Sequence, residues 1–390
     1  MAFDKTILQV IPAMDSGGAE RTTLELARAI IAAGGRAIVA TSGGRMIADL
    51  ERAGARVAIL PVHSKNPIVI VANASRLARL IRAERADLIH ARSRAPAWSA
   101  LFAARRAGIP FVTTWHGAYR GRSPLKRLYN SAMGRGDLVI ANSAFTAEAV
   151  RSVSDPGDRL KIIHRGADAA EFNPEGVSAA RRAAVLGQWG MEAGKGPVLL
   201  LPARLTDWKG HAVAIAAVRL LLAKGATGAN ADLRLVFAGE AQGREGYAAG
   251  LARGVRELGL DGVIRMVGHC GDMPAAYLAA DIVLSPSTRP EAFGRVAAEA
   301  GAMGRVVIAA DHGGARETVV DRETGFLVAP GSAEALAGAL SAAIGLGEEG
   351  RALMGAKARA RIAAQFSTAA MTAATLSAYG ALLDGWTGPA

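Results

Sequence analysis

The chain has 390 residues, more than one hydrophobic core usually serves, so two domains of similar size are expected. A composition of 51% hydrophobic and 21% charged residues is that of a soluble globular protein, and the single cysteine, Cys270, excludes an intramolecular disulfide. The formal net charge of +12 is uneven, because residues 1–175 carry an excess of +10 and residues 176–390 only +2. The first half should therefore face something anionic: lipid, a phosphorylated or acidic glycan, or nucleic acid. No helix-turn-helix, zinc-ligand or aromatic-basic pattern accompanies the charge, so nucleic acid is not expected as a partner.

Met1 to Pro12 lacks the cationic region, apolar core and cleavage site of an export signal; it reads as a strand, Thr6 to Ile11, and a cytoplasmic location is expected. Met14 to Arg21, M-D-S-G-G-A-E-R, is a glycine loop entering a helix near Ala19, closed by Gly34-Gly35. Gly17 and Gly18 fit a tight turn or a close backbone approach to a phosphate or sugar; Asp15 fits a turn cap or a contact to an acceptor hydroxyl. Further short strands are expected at Ala37–Ala40, Val57–Leu60, Leu88–Ala91, Phe111–Thr114, Leu138–Ala141 and Lys161–His164, with helical stretches between most of them. His116 stands at a strand end before Gly117, where ligands of open parallel sheets sit. The basic run Arg120, Arg122, Lys126 and Arg127 suits either a solvated helix face or an acidic glycan or membrane surface. Asn142-Ser143 fits a helix cap or, next, a ligand contact.

The pattern loosens around Asp168 to Ser178, which places the domain junction at 175/176. Alternation then resumes with strands at Val198–Leu201, Leu233–Ala238, Val263–Val267, Ile282–Leu284, Val306–Ala309 and Gly325–Val328. The fold class is α/β, two parallel-sheet domains each covered on both faces. Ile362 to Leu383 carries no charge but is rich in Ala, Ser and Thr, so a packed helix is expected rather than a membrane span. Neither a G-x-G-x-x-G fingerprint nor an Asp-x-Asp metal motif occurs, so no cofactor and no metal are expected.

The richest stretch is Ser285 to Gly304, where Pro286 and Pro290 break the chain and Glu291 is expected to open a helix through Ala302. On such a helix Glu291 and Glu299 would lie about 12 Å apart along the axis, suited to two contacts on one extended ligand. The amides of Ala292, Phe293 and Gly294 would then face an anion such as a diphosphate. Taken alone, the two acids also fit a dipole complement and a solvated face. Upstream, Arg204 and Lys209 stand at the mouth of a buried strand, with a helix beginning near His211, as the second half of a phosphate cradle.

Glu-x7-Glu preceded by Arg-x4-Lys-Gly resembles the donor site of the retaining glycosyltransferases of family 4, which have the GT-B fold; Gly-Gly-Ala-Glu-Arg resembles the opening of their first domain. The resemblance implies two Rossmann-like domains facing across a cleft, residues 1–175 for the acceptor and 176–366 for the nucleotide-sugar, with 367–390 as a helix crossing back. It implies transfer of a sugar from a nucleotide-diphospho-sugar, UDP before GDP, to a hydroxyl of an envelope glycan or glycolipid such as lipopolysaccharide core or exopolysaccharide. By the same resemblance Arg204 and Lys209 serve the diphosphate, Glu291 the sugar, Glu299 the ribose and His116 the reaction centre; Gly239 and Gly268 border the nucleobase. Where relatives carry Pro-Asn-Gly-Val-Asp, this chain has His164-Arg165-Gly166-Ala167-Asp168, so Arg165 stands as a candidate for an anionic group; Asp15 and Arg120 complete the acceptor set. Two other readings share the pattern: a nucleotide-sugar epimerase or phosphorylase, and a two-domain ligand-binding protein. A peripheral position on the cytoplasmic face of the inner membrane accords with the basic first half.

Overall fold

The computed structural model describes residues 3–15, 17–117, 123–192, 196–223 and 232–388. The chain divides into two compact units: Met1–Arg165 with Thr368–Ala390, and Gly166–Ser367.

In the first unit the strands are β1 (Thr6–Val10), β2 (Arg36–Thr41), β3 (Arg56–Ile59), β4 (Leu88–Ala91), β5 (Phe111–Trp115), β6 (Leu138–Ala141) and β7 (Leu160–Ile162). They form one parallel sheet in the order β3-β2-β1-β4-β5-β6-β7. Neighbouring residues of a strand feed opposite cores: Ile7 packs with the helix Gly18–Ala32, and Leu8 with the helices Pro67–Glu84 and Arg94–Ala107. A sheet covered on both faces needs mostly apolar side chains at successive positions, which is why the central strands read as largely apolar runs while the edge strands β3 and β7 carry Arg56 and Lys161.

The terminal helix Thr368–Asp384 belongs to this unit, where Tyr379 enters the core and its hydroxyl meets His90 Nδ1 at 2.5 Å. The other ring nitrogen of His90 meets Thr114 Oγ1 at 2.7 Å, and burial holds the ring well below its ordinary pKa. The uncharged run Ile362 to Leu383 is not one helix: it is shared between Gly347–Gln365 and Thr368–Asp384, broken at Phe366-Ser367. Among the described residues no helix is long and apolar enough to cross a membrane.

The second unit carries β8 (Val198–Pro202), β9 (Arg234–Ala238), β10 (Ile264–Gly268), β11 (Ile282–Ser285), β12 (Val306–Ala310) and β13 (Phe326–Val328), parallel in the order β10-β9-β8-β11-β12-β13. Leu200, Val236, Val283 and Val307 point into one core, and Leu199, Leu235, Ile282 and Ile308 into the other. The stretch 168–178 lies inside this unit rather than forming a loose junction at 175/176. The Ala167 amide donates to Phe366 O at 2.8 Å, Phe172 is buried in the core, and Glu175 pairs with Arg359.

Each sheet reverses its strand order once, between β1 and β4 in the first unit and between β8 and β11 in the second. In open parallel sheets, loops leaving the carboxyl ends of the strands part at such a reversal and leave a crevice. The segments after β8 and β11 hold Arg204 to Gly210 and Ser287 to Gly294, the stretches that the sequence singles out.

Candidate active site

In the second unit the loops after β8, β11 and β12 interlock through their backbones. The Thr288 amide donates to Trp208 O at 2.7 Å, and the Gly314 amide donates to Glu291 O at 2.9 Å. Gly210 has φ +82, and a Cβ there would stand 2.1 Å from Pro286 O, so only glycine lets these two chains touch. This contact delivers Lys209 to Glu291. Lys209 Nζ lies 2.8 Å from Glu291 Oε1, with the side chains only 13% and 18% exposed. The ammonium also stands over the Trp208 ring, 4.5 Å from its centroid.

Glu291 Oε1 accepts a second hydrogen bond from Ser287 Oγ at 2.5 Å, and His312 Nε2 donates to Ser287 O at 2.8 Å. Ser287 and His312 are parts of the site that sequence reasoning missed. The signal for Ser287 was its place four residues before Glu291 in S-P-S-T-R-P-E; His312 stands beside Gly313-Gly314.

One expectation is corrected here. Glu291 does not open a helix: the helix is Arg295–Ala302, and Gly294 precedes it in the left-handed region at φ +81. Pro290 and Gly294 keep 291–294 as a loop, packed against Gly313 and Gly314. The amides of Ala292, Phe293 and Gly294 therefore belong to a loop, and the dipole argument shifts to Arg295 and Val296, since the Ala297 amide donates to Gly294 O. Glu291 and Glu299 accordingly do not share one helix axis.

Glu299 is on that helix and is held from two sides. Its Oε1 accepts from Arg295 Nε at 3.0 Å and Nη2 at 2.7 Å, and its Oε2 accepts from the Tyr277 hydroxyl at 2.9 Å. Tyr277 is fully buried, and burial followed by the Glu299 charge pushes its pKa well above the ordinary value. The clamp fixes the carboxylate while leaving lone pairs for a further donor. Neither Arg295 nor Tyr277 was singled out from the sequence.

Arg204 is not brought to Glu291. It is exposed and reaches Gln242 Oε1 at a long 3.5 Å. The backbone beneath it is closely packed, since a Cβ on Gly239 would lie 2.0 Å from Ala203 O. Gly239 directly follows β9 and Gly268 ends β10, with His269 next on the same carboxyl edge. Among the described residues no three His, Cys, Asp or Glu side chains are grouped as a metal would need.

In the first unit, His116 follows β5, and Arg165 Nη2 meets its Nδ1 at 2.7 Å. Burial, then the charges of Arg165, Arg92 and His90, hold His116 well below its ordinary pKa. Asp15 is exposed, and its Oδ1 accepts from the Arg45 amide at 3.3 Å. Gly17 caps the helix Gly18–Ala32 without a side chain. Asn142 and Ser143 are taken up locally: Oδ1 of the first accepts from Thr146 Oγ1, and Oγ of the second accepts from the Thr146 amide. Arg120 and Arg122 lie outside the described residues.

Comparison with known proteins follows the same division. The Glycosyltransferase Family 4 model matches residues 16–171, and the Glycosyl transferases group 1 model matches residues 190–361. The chain is 32% identical over 319 residues to the D-inositol 3-phosphate glycosyltransferase of Saccharomonospora viridis, a match covering 75% of this chain and 69% of that protein. It superposes on a glycosyltransferase of Rickettsia africae with TM-score 0.90 at 32% identity, covering 98% and 99% of the two chains. Anabaena HepE in complex with UDP-glucose gives TM-score 0.79 at 26% identity, covering 96% and 99%. With a family model on each unit and relatives above 30% identity, the chain belongs to the glycosyltransferases of the family 4 type, with the GT-B fold.

Proposed function

We propose that the protein transfers a sugar, with retention at the anomeric carbon, from a nucleotide-diphospho-sugar to a hydroxyl of an envelope glycan or glycolipid, without a metal. UDP-sugars are the first expectation and GDP-sugars the next; the UDP-glucose held by HepE supports that order. The observation that carries the reading is the Lys209–Glu291–Ser287 cluster on the two loops that flank the strand-order reversal of the second unit. A partly buried ammonium beside a carboxylate offers a cation to a leaving diphosphate and an acceptor to sugar hydroxyls.

In this reading Lys209 stabilises charge on the departing phosphate, and Arg204 swings from Gln242 to join it. Glu291 holds hydroxyls of the donor sugar, and Glu299, fixed by Arg295 and Tyr277, accepts from the ribose. Gly239 and Gly268 border the base, and Gly17, Gly18 and His116 are the first unit's own ligand candidates. Asp15, Arg120 and Arg165 are the candidates for the acceptor. The departing phosphate takes the acceptor proton, so no side chain need act as base.

The test is release of free nucleoside diphosphate from a panel of UDP-, GDP- and ADP-sugars, with and without glycolipid acceptors and with a chelator present. Acceptor-dependent release unaffected by chelator is expected. Release of an epimer or sugar phosphate without acceptor would favour the second enzyme reading, and no product with any donor would defeat both.

A lipid-borne acceptor would bring the protein to an anionic surface. The helix Pro124–Ser131 exposes Leu125 at 80% and Leu128 at 57%, with Lys126 and Arg127 exposed between them. Apolar and basic side chains alternating on one exposed helix suit the interface of an anionic bilayer. Cosedimentation with vesicles containing phosphatidylglycerol is expected, and reduction by Lys126→Glu with Arg127→Glu; equal binding by the variant would remove the surface from the proposal.

A further inference from the structure

Arg165 stands three residues beyond β7, and its Nη2 lies 2.7 Å from Nδ1 of His116, directly after β5. A guanidinium has five N–H donors, no acceptor and no accessible neutral form. In this contact Nδ1 can therefore only accept, and the proton of the neutral ring must sit on Nε2. We propose that Arg165 is a positioning residue that fixes His116 as its neutral Nε2–H tautomer, so that the ring serves its ligand as a hydrogen-bond donor and never as a base.

The surroundings point the same way. Arg92, directly after β4, and His90, on β4, are the other titratable groups that lower His116, and both act after burial and Arg165. Adding a proton at Nδ1 would break the hydrogen bond and set an imidazolium against a guanidinium. An uncharged amide at position 165 could make a similar hydrogen bond but would not oppose protonation, which gives the arginine in His164-Arg165-Gly166 a specific use. The inference rests on the glycosyltransferase reading for its consequence in turnover, but not for the state of the ring.

The experiment uses the full chain labelled with 15N-histidine, with His116 assigned through His116→Gln. Long-range 15N–1H correlations separate the two neutral tautomers from the imidazolium. The native ring is expected as Nε2–H alone from pH 5.5 to 8. In Arg165→Met the Nδ1–H form should appear and the titration midpoint should rise by about one unit or more. Arg165→Lys, which keeps a charged donor, should restore much of the native pattern, and unchanged signals from the other histidines report an intact fold. With a donor that supports turnover, Arg165→Met should lower kcat about tenfold, a hydrogen bond's worth, with donor KM within about twofold. A ring spectrum indifferent to Arg165→Met overturns the proposal, as does native kcat once the tautomer has changed. Because the spectrum needs no substrate, a protein without transfer activity would retire the functional reading while the tautomer result still decides the positioning role.

Discussion

Lys209→Ala is expected to lower kcat on the order of a hundredfold, the loss typical when one preorganised group that meets developing charge is removed. Lys209 sits 2.8 Å from Glu291 with 13% of its side chain exposed, so its charge acts where water screens little. A purely structural ion pair in the same place would also suffer, because removing one partner strands the other; here the stability cost should be about 1 to 2 kcal/mol, less than for a fully buried pair. The two roles separate in the double variant Lys209→Ala with Glu291→Gln. Neutralising the stranded carboxyl should return most of the lost stability and none of the lost turnover. Steady-state release of nucleoside diphosphate and urea unfolding of the native protein, Lys209→Ala, Glu291→Gln and the double variant supply both readouts. Turnover that recovers together with stability would make the pair a strut, and the donor site would have to be sought elsewhere.

The thirteen strands among the described residues were legible to within about two residues, because a sheet covered on both faces demands largely apolar runs and glycine or proline often marks where they stop. Their lateral order was not legible, since apolar content says that a run is covered but not which run it pairs with; the reversal between β8 and β11 that brings Lys209 to Glu291 emerges only when the sheet is assembled. The helix after Glu291 was placed four residues early because Ala292 and Phe293 are compatible with a helix. The left-handed Gly294 and the packing of Gly313 and Gly314 against the loop decide otherwise, and both are tertiary facts. Tyr277 was hidden for the opposite reason. An aromatic in an alanine-rich helix reads as core, and core it is, yet its hydroxyl faces Glu299 from a helix 22 residues upstream. Arg204 shows a third limit. Its position after β8 was readable, but the side chain's direction depends on Gln242, 38 residues away.

Lowering the pH should destabilise the native protein through His211. The residue begins the helix after Gly210 and is completely buried, edge-on to Phe237 at 4.9 Å between ring centroids. Burial lowers its pKa to about 4, against which the backbone carbonyls of Thr206 and Ala203 pull slightly upward, while Lys209 adds to the lowering. The unfolded chain takes up a proton near 6.5 that the native ring refuses until about 4. Between those values the unfolded state binds more protons, so stability rises with pH across the window, is complete above 6.5, and is lost as the pH falls toward 4. The whole interval corresponds to about 3 kcal/mol. Urea unfolding at pH 7 and pH 4.5 measures it, and His211→Phe, which keeps a ring and removes the titration, isolates it from carboxylates such as Asp272, whose lowered pKa contributes with the same sign. Native protein should lose about 2 kcal/mol more than the variant between the two pH values. The same protonation bears on activity, because Ala203 and Thr206 bracket Arg204, and a charged His211 beneath them would add repulsion toward Lys209 and disturb the backbone that carries both cations. If native and variant lose stability in parallel, the ring is reached by water in solution, and the loop of Arg204 rests on its backbone contacts, the Leu205 amide to Glu240 O among them.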